Sequence, residues 1–343
     1  MVFPFALTAA MHPQAPVALI GAGLAGLSCA TALQQAGVAV QLFDKSRGPA
    51  GRMSTRRAEG WACDHGAQYF TARDPRFRAE LSRWQAAGVA APWAPRLAVL
   101  GGLGTHHPDA SIQRFVGLPQ MTAPARWLAD QLPLALQSTV TALRRDSTGA
   151  WQLQSAEQGW LAQPFSAALL ALPAPQAAPL LAPHAPALAE LSTQARMRGC
   201  WALMLQYEAP VDLPFEAAFV NRGPLRWIAR DSSKPGRSGA ETWLLHAEAE
   251  WSEAHLEHAP EQVAALMLQA FAEHGGPAPQ SWSAHRWRYA DSAPALDIGF
   301  SWQAESGLGL CGDWLHGGKV EGAWLSGLKL AQALLHSRAT IRA

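Results

Sequence analysis

The sequence predicts an α/β fold. One domain is Rossmann-like, with a parallel sheet; a second, α+β domain is built on a mainly antiparallel sheet. Three observations predict it. An apolar tetrapeptide near the N-terminus runs into a GxGxxG turn and a helix. A second apolar run ends in an acid about 20 residues after that turn, as a βαβ dinucleotide site requires. Later stretches rich in tryptophan alternate polar and apolar residues, the mark of strands with one buried face.

The first strand is Val17-Ala18-Leu19-Ile20, a short apolar run of the kind buried in a parallel sheet. Gly21-Ala22-Gly23-Leu24-Ala25-Gly26 follows. Gly21 permits the tight turn, Gly23 lets backbone amides approach a pyrophosphate, and Gly26 lets the helix pack on the strand. The helix is expected over Leu24 to Gln35, with Leu24, Leu27, Ala30 and Leu33 at near-helical spacing. Its N-terminal amides and dipole favour a phosphate anion. Val38 to Phe43 reads as the second strand, and Asp44 as the acceptor for ribose hydroxyls. A carboxylate there repels a 2′-phosphate. The fingerprint alone does not choose between NAD and FAD.

Composition narrows the class. A chain of 343 residues has room for two domains, and a net charge of +1 supplies no field for nucleic acid or an acidic membrane. Four cysteines without a CxxC pair fit a reducing cytoplasm and predict no metal site. His255 and His258 read as a solvated helix face. No apolar run approaches the ~20 residues of a membrane helix. The first ten residues are apolar but lack a basic segment, so no signal peptide is expected, and Met11 is an alternative start.

After Asp44 comes a basic, glycine-rich loop, Lys45 to Met53, in which Arg52 can fork onto a phosphate and Gly51 allows close passage to a cofactor. It is similar to the GGR-type loop of the amine-oxidase and protoporphyrinogen-oxidase group of flavoproteins, with Ala50 in place of the first glycine. That resemblance points to FAD. In the group, the segment equivalent to Asp64-His65-Gly66-Ala67-Gln68-Tyr69 runs past the isoalloxazine ring. Gln68 and Tyr69 then either reach the flavin edge or substrate, or simply pack.

Near the C-terminus, residues 307–314 read as a strand ending in a Gly312-Asp313 turn. The resemblance makes Asp313 the acceptor for the ribityl chain. The helix opening at Val320 and expected to reach Leu335 would then aim its N-terminus at the flavin pyrimidine edge. Glu321 either caps that helix or orients outward, and Cys311 is expected to be a buried strand cysteine. In the middle of the chain, Gln137 to Leu143, Trp151 to Leu153 and Ala167 to Ala171 read as strands, with Val140 beside the adenine. The Ala/Pro-rich stretch 173–187 reads as a linker plus a short helix. The FAD-binding domain is expected over 1–73, 121–184 and 296–343, and the substrate domain over 74–120 and 185–295. Tyr69, Trp227, His246 and Trp287 are candidates for the substrate pocket.

Taken together, these segments resemble bacterial renalases from Val17 to Leu335. The match is carried by the glycine fingerprint, FDKSRGPAGRMSTRR at 43–57, DHGAQYFTARD at 64–74, WIARDSSKP at 227–235, HRWRYA at 285–290, and CGDW through VEGAWLSG at 311–327. The resemblance implies a two-dinucleotide-binding fold of p-hydroxybenzoate-hydroxylase topology with non-covalent FAD. It implies oxidation of the 2-dihydro- and 6-dihydro-isomers of NAD(P)H to NAD(P)⁺, with electrons passing to molecular oxygen to give hydrogen peroxide. Hydride delivery to flavin N5 needs no general base, so no catalytic side chain is named. Two rivals stand. An amine oxidase of the same fold often uses a lysine–water pair, yet none of Lys45, Lys234, Lys319 and Lys329 lies in an aromatic-cage motif. A flavin-binding interaction module without turnover is the other.

Overall fold

A computed structural model describes residues 15–102 and 111–342, and the counts below refer to these. The expectations for the first ten residues and for Met11 lie outside the described residues. The chain forms two compact units: one comprises residues up to Gly51, Leu128–Arg196 and Pro294 onward; the other comprises Arg52–Trp127 and Met197–Ala293.

The first unit is Rossmann-like. Its six-stranded sheet runs in the order Ser301–Gln303, Leu308–Leu310, Ala167–Leu170, Val17–Ile20, Val40–Phe43, Leu134–Ala135. Every pairing is parallel except the first. Val17–Ile20 and Ala167–Leu170 are buried at every position, which is why both read as unbroken apolar runs rather than alternating ones. The helix Leu24–Gln35 is buried around most of its circumference. It lies beside the long helix Val320–Arg342, where Ser28 Oγ donates to Trp324 O at 2.8 Å. An antiparallel sheet of Val140–Arg145, Trp151–Ser155 and Gly159–Trp160 precedes the return strand.

Several elements differ from expectation. The second strand begins at Val40, because Val38 N still bonds Leu33 O in the closure of the first helix. The strand expected from Gln137 begins at Val140, because Gln137 adopts a φ of 51° in a turn. The Ala/Pro-rich stretch is two helices, Ala174–Leu181 and Pro186–Thr193. Prolines in their first turns favour helix starts there rather than a linker. The last helix continues past Leu335 to Arg342.

The second unit is α+β. Its six-stranded sheet runs Ser281–Ser292, Met197–Tyr207, Glu241–Ala247, Leu225–Arg230, Ala217–Val220, Leu97–Leu100. It is antiparallel apart from the last pair. Period-two alternation splits its side chains cleanly. Trp201, Leu203, Leu205, Ile228, Trp243 and Leu245 face the helix Pro260–Ala272 and pack on Val263, Met267 and Phe271. Ala202, Met204 and Leu244 point the other way, onto Cys63 of the hairpin Thr55–Ala58/Trp61–Asp64. The stretch from residue 74, expected to be stranded, opens instead with the helix Pro75–Ala86, capped by Asp74, which accepts from Arg76 N. Among the described residues no helix is long and apolar enough to cross a membrane.

Candidate active site

In the first unit, the turn after Val17–Ile20 is built for an anion. Gly21 has φ +106°, and a Cβ there would sit 2.5 Å from Ala171 O; at Gly26 a Cβ would collide with Gly21 O. The helix that follows is N-capped by Gly23 with no side-chain hydrogen bond, so no side chain caps its first-turn amides. Asp44 fastens the turn: Ala22 N donates to Oδ2 at 2.7 Å, and Ser46 N to Oδ1 at 2.8 Å. Ala50 N donates to Ala22 O at 3.0 Å, and a Cβ on Gly51 would lie 3.3 Å from Gly23 Cα. The structure thus draws Gly21, Ala22, Gly23, Asp44 and Gly51 into one cradle, with Ala25 buried behind it and Lys45 exposed at its edge. This cradle fits the diphosphate and ribose of a dinucleotide.

The second signature of this unit is held just as firmly. Cys311 N donates to Leu170 O, continuing the sheet, and Gly312 N donates to Ser326 Oγ at 2.9 Å, which donates to Gly299 O at 2.5 Å. Asp313 opens a 3₁₀ turn and is 7% exposed; its carbonyl accepts from His316 N and Gly318 N, both at 2.8 Å. Val320 begins the last helix, and Val140 begins the antiparallel insertion. Cys311 is fully buried, beside Cys29.

The remaining expected cofactor residues fall in the second unit. Ala67 N donates to Arg52 O at 2.8 Å, and Arg52 Nη1 to Ala290 O at 3.1 Å; Met53 is buried and Gly66 sits against Arg52 O. The amide of Gln68 is engaged within the protein. Its Nε2 donates to Asp64 O at 2.7 Å and to Gly66 O at 3.1 Å, and its Oε1 accepts from Lys234 Nζ at 3.2 Å.

Lys234 is the residue that motif reading missed. It lies beside the Trp93 ring, 5.6 Å from the centroid. It is 2% exposed and donates to Asp231 Oδ1 at 2.7 Å, Asp64 Oδ2 at 3.2 Å and Gln68. Arg237 also bonds Asp64 Oδ2 and donates to Gly117 O at 2.6 Å. Thr55 Oγ1 donates to Asp64 Oδ1 at 2.6 Å, and Met121 N at 3.1 Å. Burial alone would raise the Asp64 carboxyl, but Lys234 and Arg237 hold it down at about 2. Asp231 is pushed up to about 6 by burial and then by the charge of Asp64. Burial opposes the Lys234 ammonium, yet Asp231 and Asp64 hold its pKa above the usual lysine value. The only sequence trace of this cluster is the three-residue spacing of Asp231 and Lys234 ahead of a proline.

The sheet face turned from the helix Pro260–Ala272 carries three of the four pocket candidates. Trp227 and His246 are register partners on neighbouring strands. Trp287 Nε1 donates to His65 O at 2.9 Å, and His246 Nε2 to the same oxygen at 3.1 Å, which requires the proton on Nε2. His65 stacks on Trp287, and His285 meets both edge-on. Burial pushes all three imidazoles down, to about 3 for His65 and His246 and about 4 for His285; His285 and Arg56 add to the effect at His65. Tyr69, the fourth candidate, lies 5.5 Å from the Trp227 ring and 6.5 Å from Trp93, with the Arg114 guanidinium 5.3 Å from its own centroid.

Two family profiles match this chain. The profile of the NAD(P)-binding Rossmann-like domain matches residues 19–84, and that of the flavin containing amine oxidoreductase family matches residues 75–335. The fold is similar to a protein assigned as a protoporphyrinogen oxidase from Exiguobacterium sp. 255-15, with a TM-score of 0.73 and 13% identity, over 94% of this chain and 98% of that one. It is also similar to cyclohexylamine oxidase from Brevibacterium oxydans IH-35A, with a TM-score of 0.70 and 14% identity, over 95% and 100%. A triple mutant of putrescine oxidase gives 0.72 and 14%, over 94% and 99%. The chain belongs to the flavin-containing amine oxidoreductases, and it is an FAD-dependent oxidoreductase.

Proposed function

We propose that this enzyme oxidises the 2-dihydro- and 6-dihydro-isomers of NAD(P)H to NAD(P)⁺, with oxygen as final acceptor and hydrogen peroxide as product. The observation that carries this reading is the state of Lys234. Its ammonium has three N–H donors, and Asp64, Asp231 and Gln68 accept from all three. No donor remains for the lysine–water pair that amine oxidation often uses. The Arg114 guanidinium also lies 5.3 Å from the Tyr69 ring centroid, a positive charge that disfavours an ammonium substrate beside that ring.

FAD, when bound, supplies the hydride acceptor and hands the electrons to oxygen. The residues of the chain then position and exclude water. A dihydropyridine gains aromaticity on losing hydride and gives up no proton, so no base is needed. The three histidines of the sheet face suit that chemistry, because imidazoles pushed to about 3–4 are weak proton acceptors at neutral pH. The four described cysteines are free and buried, which supports a cytoplasmic site of action. An amine oxidase is the second reading, favoured by the family itself.

The test is the anaerobic visible spectrum of the purified, FAD-loaded protein. It is recorded with the isomer mixture, with pure 4-dihydro NADH and with a panel of amines. Bleaching by the mixture alone supports the proposal. Bleaching by an amine but not by the mixture overturns it in favour of the second reading.

A further inference from the structure

The side-chain amide of Gln68 brackets His65. Its Nε2 donates to Asp64 O at 2.7 Å and to Gly66 O at 3.1 Å, the carbonyls on either side of that residue. The carbonyl between them, His65 O, accepts from Trp287 Nε1 at 2.9 Å and from His246 Nε2 at 3.1 Å. The turn runs on to Tyr69, whose ring lies 5.5 Å from that of Trp227. One short turn therefore carries or contacts all four pocket candidates. What orients the amide is Lys234. An ammonium has donors and no acceptor, so only the oxygen of Gln68 can face it. Oε1 accepts from Lys234 Nζ at 3.2 Å, which directs the NH₂ end at the two carbonyls. Asp64, at the head of the turn, accepts from the same ammonium at 3.2 Å. Lys234 is itself held by Asp231 Oδ1 at 2.7 Å and flanked by Trp93, whose Nε1 donates to Ser233 Oγ at 3.3 Å.

Buried ion pairs are a poor source of stability, since apolar residues packed in their place often hold a fold as well or better. A fully satisfied buried network does fix geometry, because few arrangements of its members satisfy every bond. We propose that Lys234 is a positioning residue: acting through Gln68, it holds the His65–Tyr69 turn so that His65 O keeps the Trp287 and His246 rings in place on the face that carries the pocket candidates. Two aromatic rings locked by one carbonyl present a preformed surface, and a flat substrate then binds without first ordering them. That the substrate is a dihydropyridine rests on the proposed function; the hold on Trp287 and His246 does not.

The test is NMR of the FAD-loaded protein with isotope-labelled tryptophan, in which the Trp287 indole N–H is assigned by its loss in Trp287→Phe. Two variants release the turn by different routes. Asp231→Asn with Lys234→Met removes one acid and one base together and leaves Asp64 paired with Arg237. Gln68→Met removes the amide and leaves all four charges in place. In both, the Trp287 N–H is expected to move upfield and to exchange with solvent roughly tenfold faster, as the loss of one hydrogen bond requires. Trp243, whose Nε1 donates to Glu241 and whose ring packs on the opposite face of the sheet, is the control and should not change. Gln68→Met decides the matter if the double variant does not fold. An unmoved Trp287 signal in Gln68→Met overturns the inference, and so does an equal change at Trp243, which would mean general loosening. With the isomer mixture, the variants should show a roughly tenfold higher KM with kcat little changed, the pattern of lost binding rather than lost chemistry. An unchanged KM in a variant whose Trp287 signal has moved overturns the positioning role. A wild type that does not turn over the mixture sinks the proposed function, while the Trp287 signal still decides whether Lys234 holds the turn.

Discussion

Lys234 Nζ lies 2.7 Å from Asp231 Oδ1, and neither side chain reaches solvent. With Asp64 and Arg237 they form a closed set of two acids and two bases. Such a set is balanced only when complete. Lys234→Met leaves two buried carboxylates facing one cation, and is expected to lower stability by about 3–5 kcal/mol in urea unfolding. Adding Asp231→Asn removes one stranded charge and should recover part of the loss. A double variant as unstable as Lys234→Met would show that the pair is not coupled.

Acid sensitivity should follow the sheet-face histidines. An unfolded chain protonates imidazoles below about 6.5, while the folded one holds His65, His246 and His285 neutral to about 3–4. The unfolded state therefore binds more protons in this window, and stability falls as pH drops from 6.5 towards 4, by up to about 1.4 kcal/mol per pH unit for each group. Asp231 opposes this in part: its raised pKa stabilises the fold below 3.8, a contribution lost as pH rises through about 6. Asp64, held at about 2, contributes fully above its unfolded value of 3.8 and loses that contribution only as pH falls towards 2. His246→Gln is expected to make the acid limb of a Tm-against-pH curve shallower. An unchanged slope would show that folding does not depress the His246 pKa.

Ala50 has a φ of 102°, a region that a residue with a Cβ adopts only under strain, and it is 1% exposed. It occupies the place where the related loop carries its first glycine. Ala50→Gly should relieve about 1–3 kcal/mol of strain, partly offset by about 0.5–1 kcal/mol from glycine's entropy. The expected result is a higher Tm with FAD still bound; a lower Tm would mean that the methyl group's packing outweighs the strain.

Asp44 and Asp313 make separable predictions about FAD. Asp44→Asn weakens two bonds that fasten the cradle, at Ala22 N and Ser46 N. Charge-assisted bonds of this kind contribute about 1.5–3 kcal/mol each. Asp313→Ala keeps the turn, since its backbone carbonyl still accepts from His316 N and Gly318 N, but removes the carboxylate assigned to the ribityl chain. Both variants should lose FAD on gel filtration, measured from the visible absorbance of the eluted protein. Full occupancy in Asp313→Ala would remove its assignment to the ribityl chain.

Local patterns revealed the βαβ unit because its determinants are contiguous. Val17–Ile20, the glycine turn and Asp44 lie within one short stretch, each with its own chemical reason. The half-buried strands were legible through alternation, so Trp227, His246 and Trp287 could be singled out before their shared face was known. Lys234 could not. Its partners Asp64 and Gln68 lie far away in the chain, and a lysine in a proline-bounded loop reads as solvated until the fold encloses it. Arg114 and Trp93 were hidden for the same reason: nothing in their local sequence signals a ring across the unit. The helices at 174–193 were missed because alanine and proline together read as a linker, although proline in a first turn favours a helix start.

The pairing of Leu225–Arg230 with Glu241–Ala247 shifts between Leu225 and Trp227. Leu225 lies opposite Ala247 and Trp227 opposite His246, so Arg226 is an extra residue in an otherwise regular ladder. This makes the strand tolerant of length change at one point and intolerant elsewhere. Deleting Arg226 would straighten the ladder and leave Trp227 where it is. Deleting a residue between Trp227 and Arg230 would invert every side chain beyond the cut, moving apolar residues out of the helix-packed core. A lineage could therefore gain or shed a residue at the bulge without disturbing the aromatic face, and such length changes should be confined to that position.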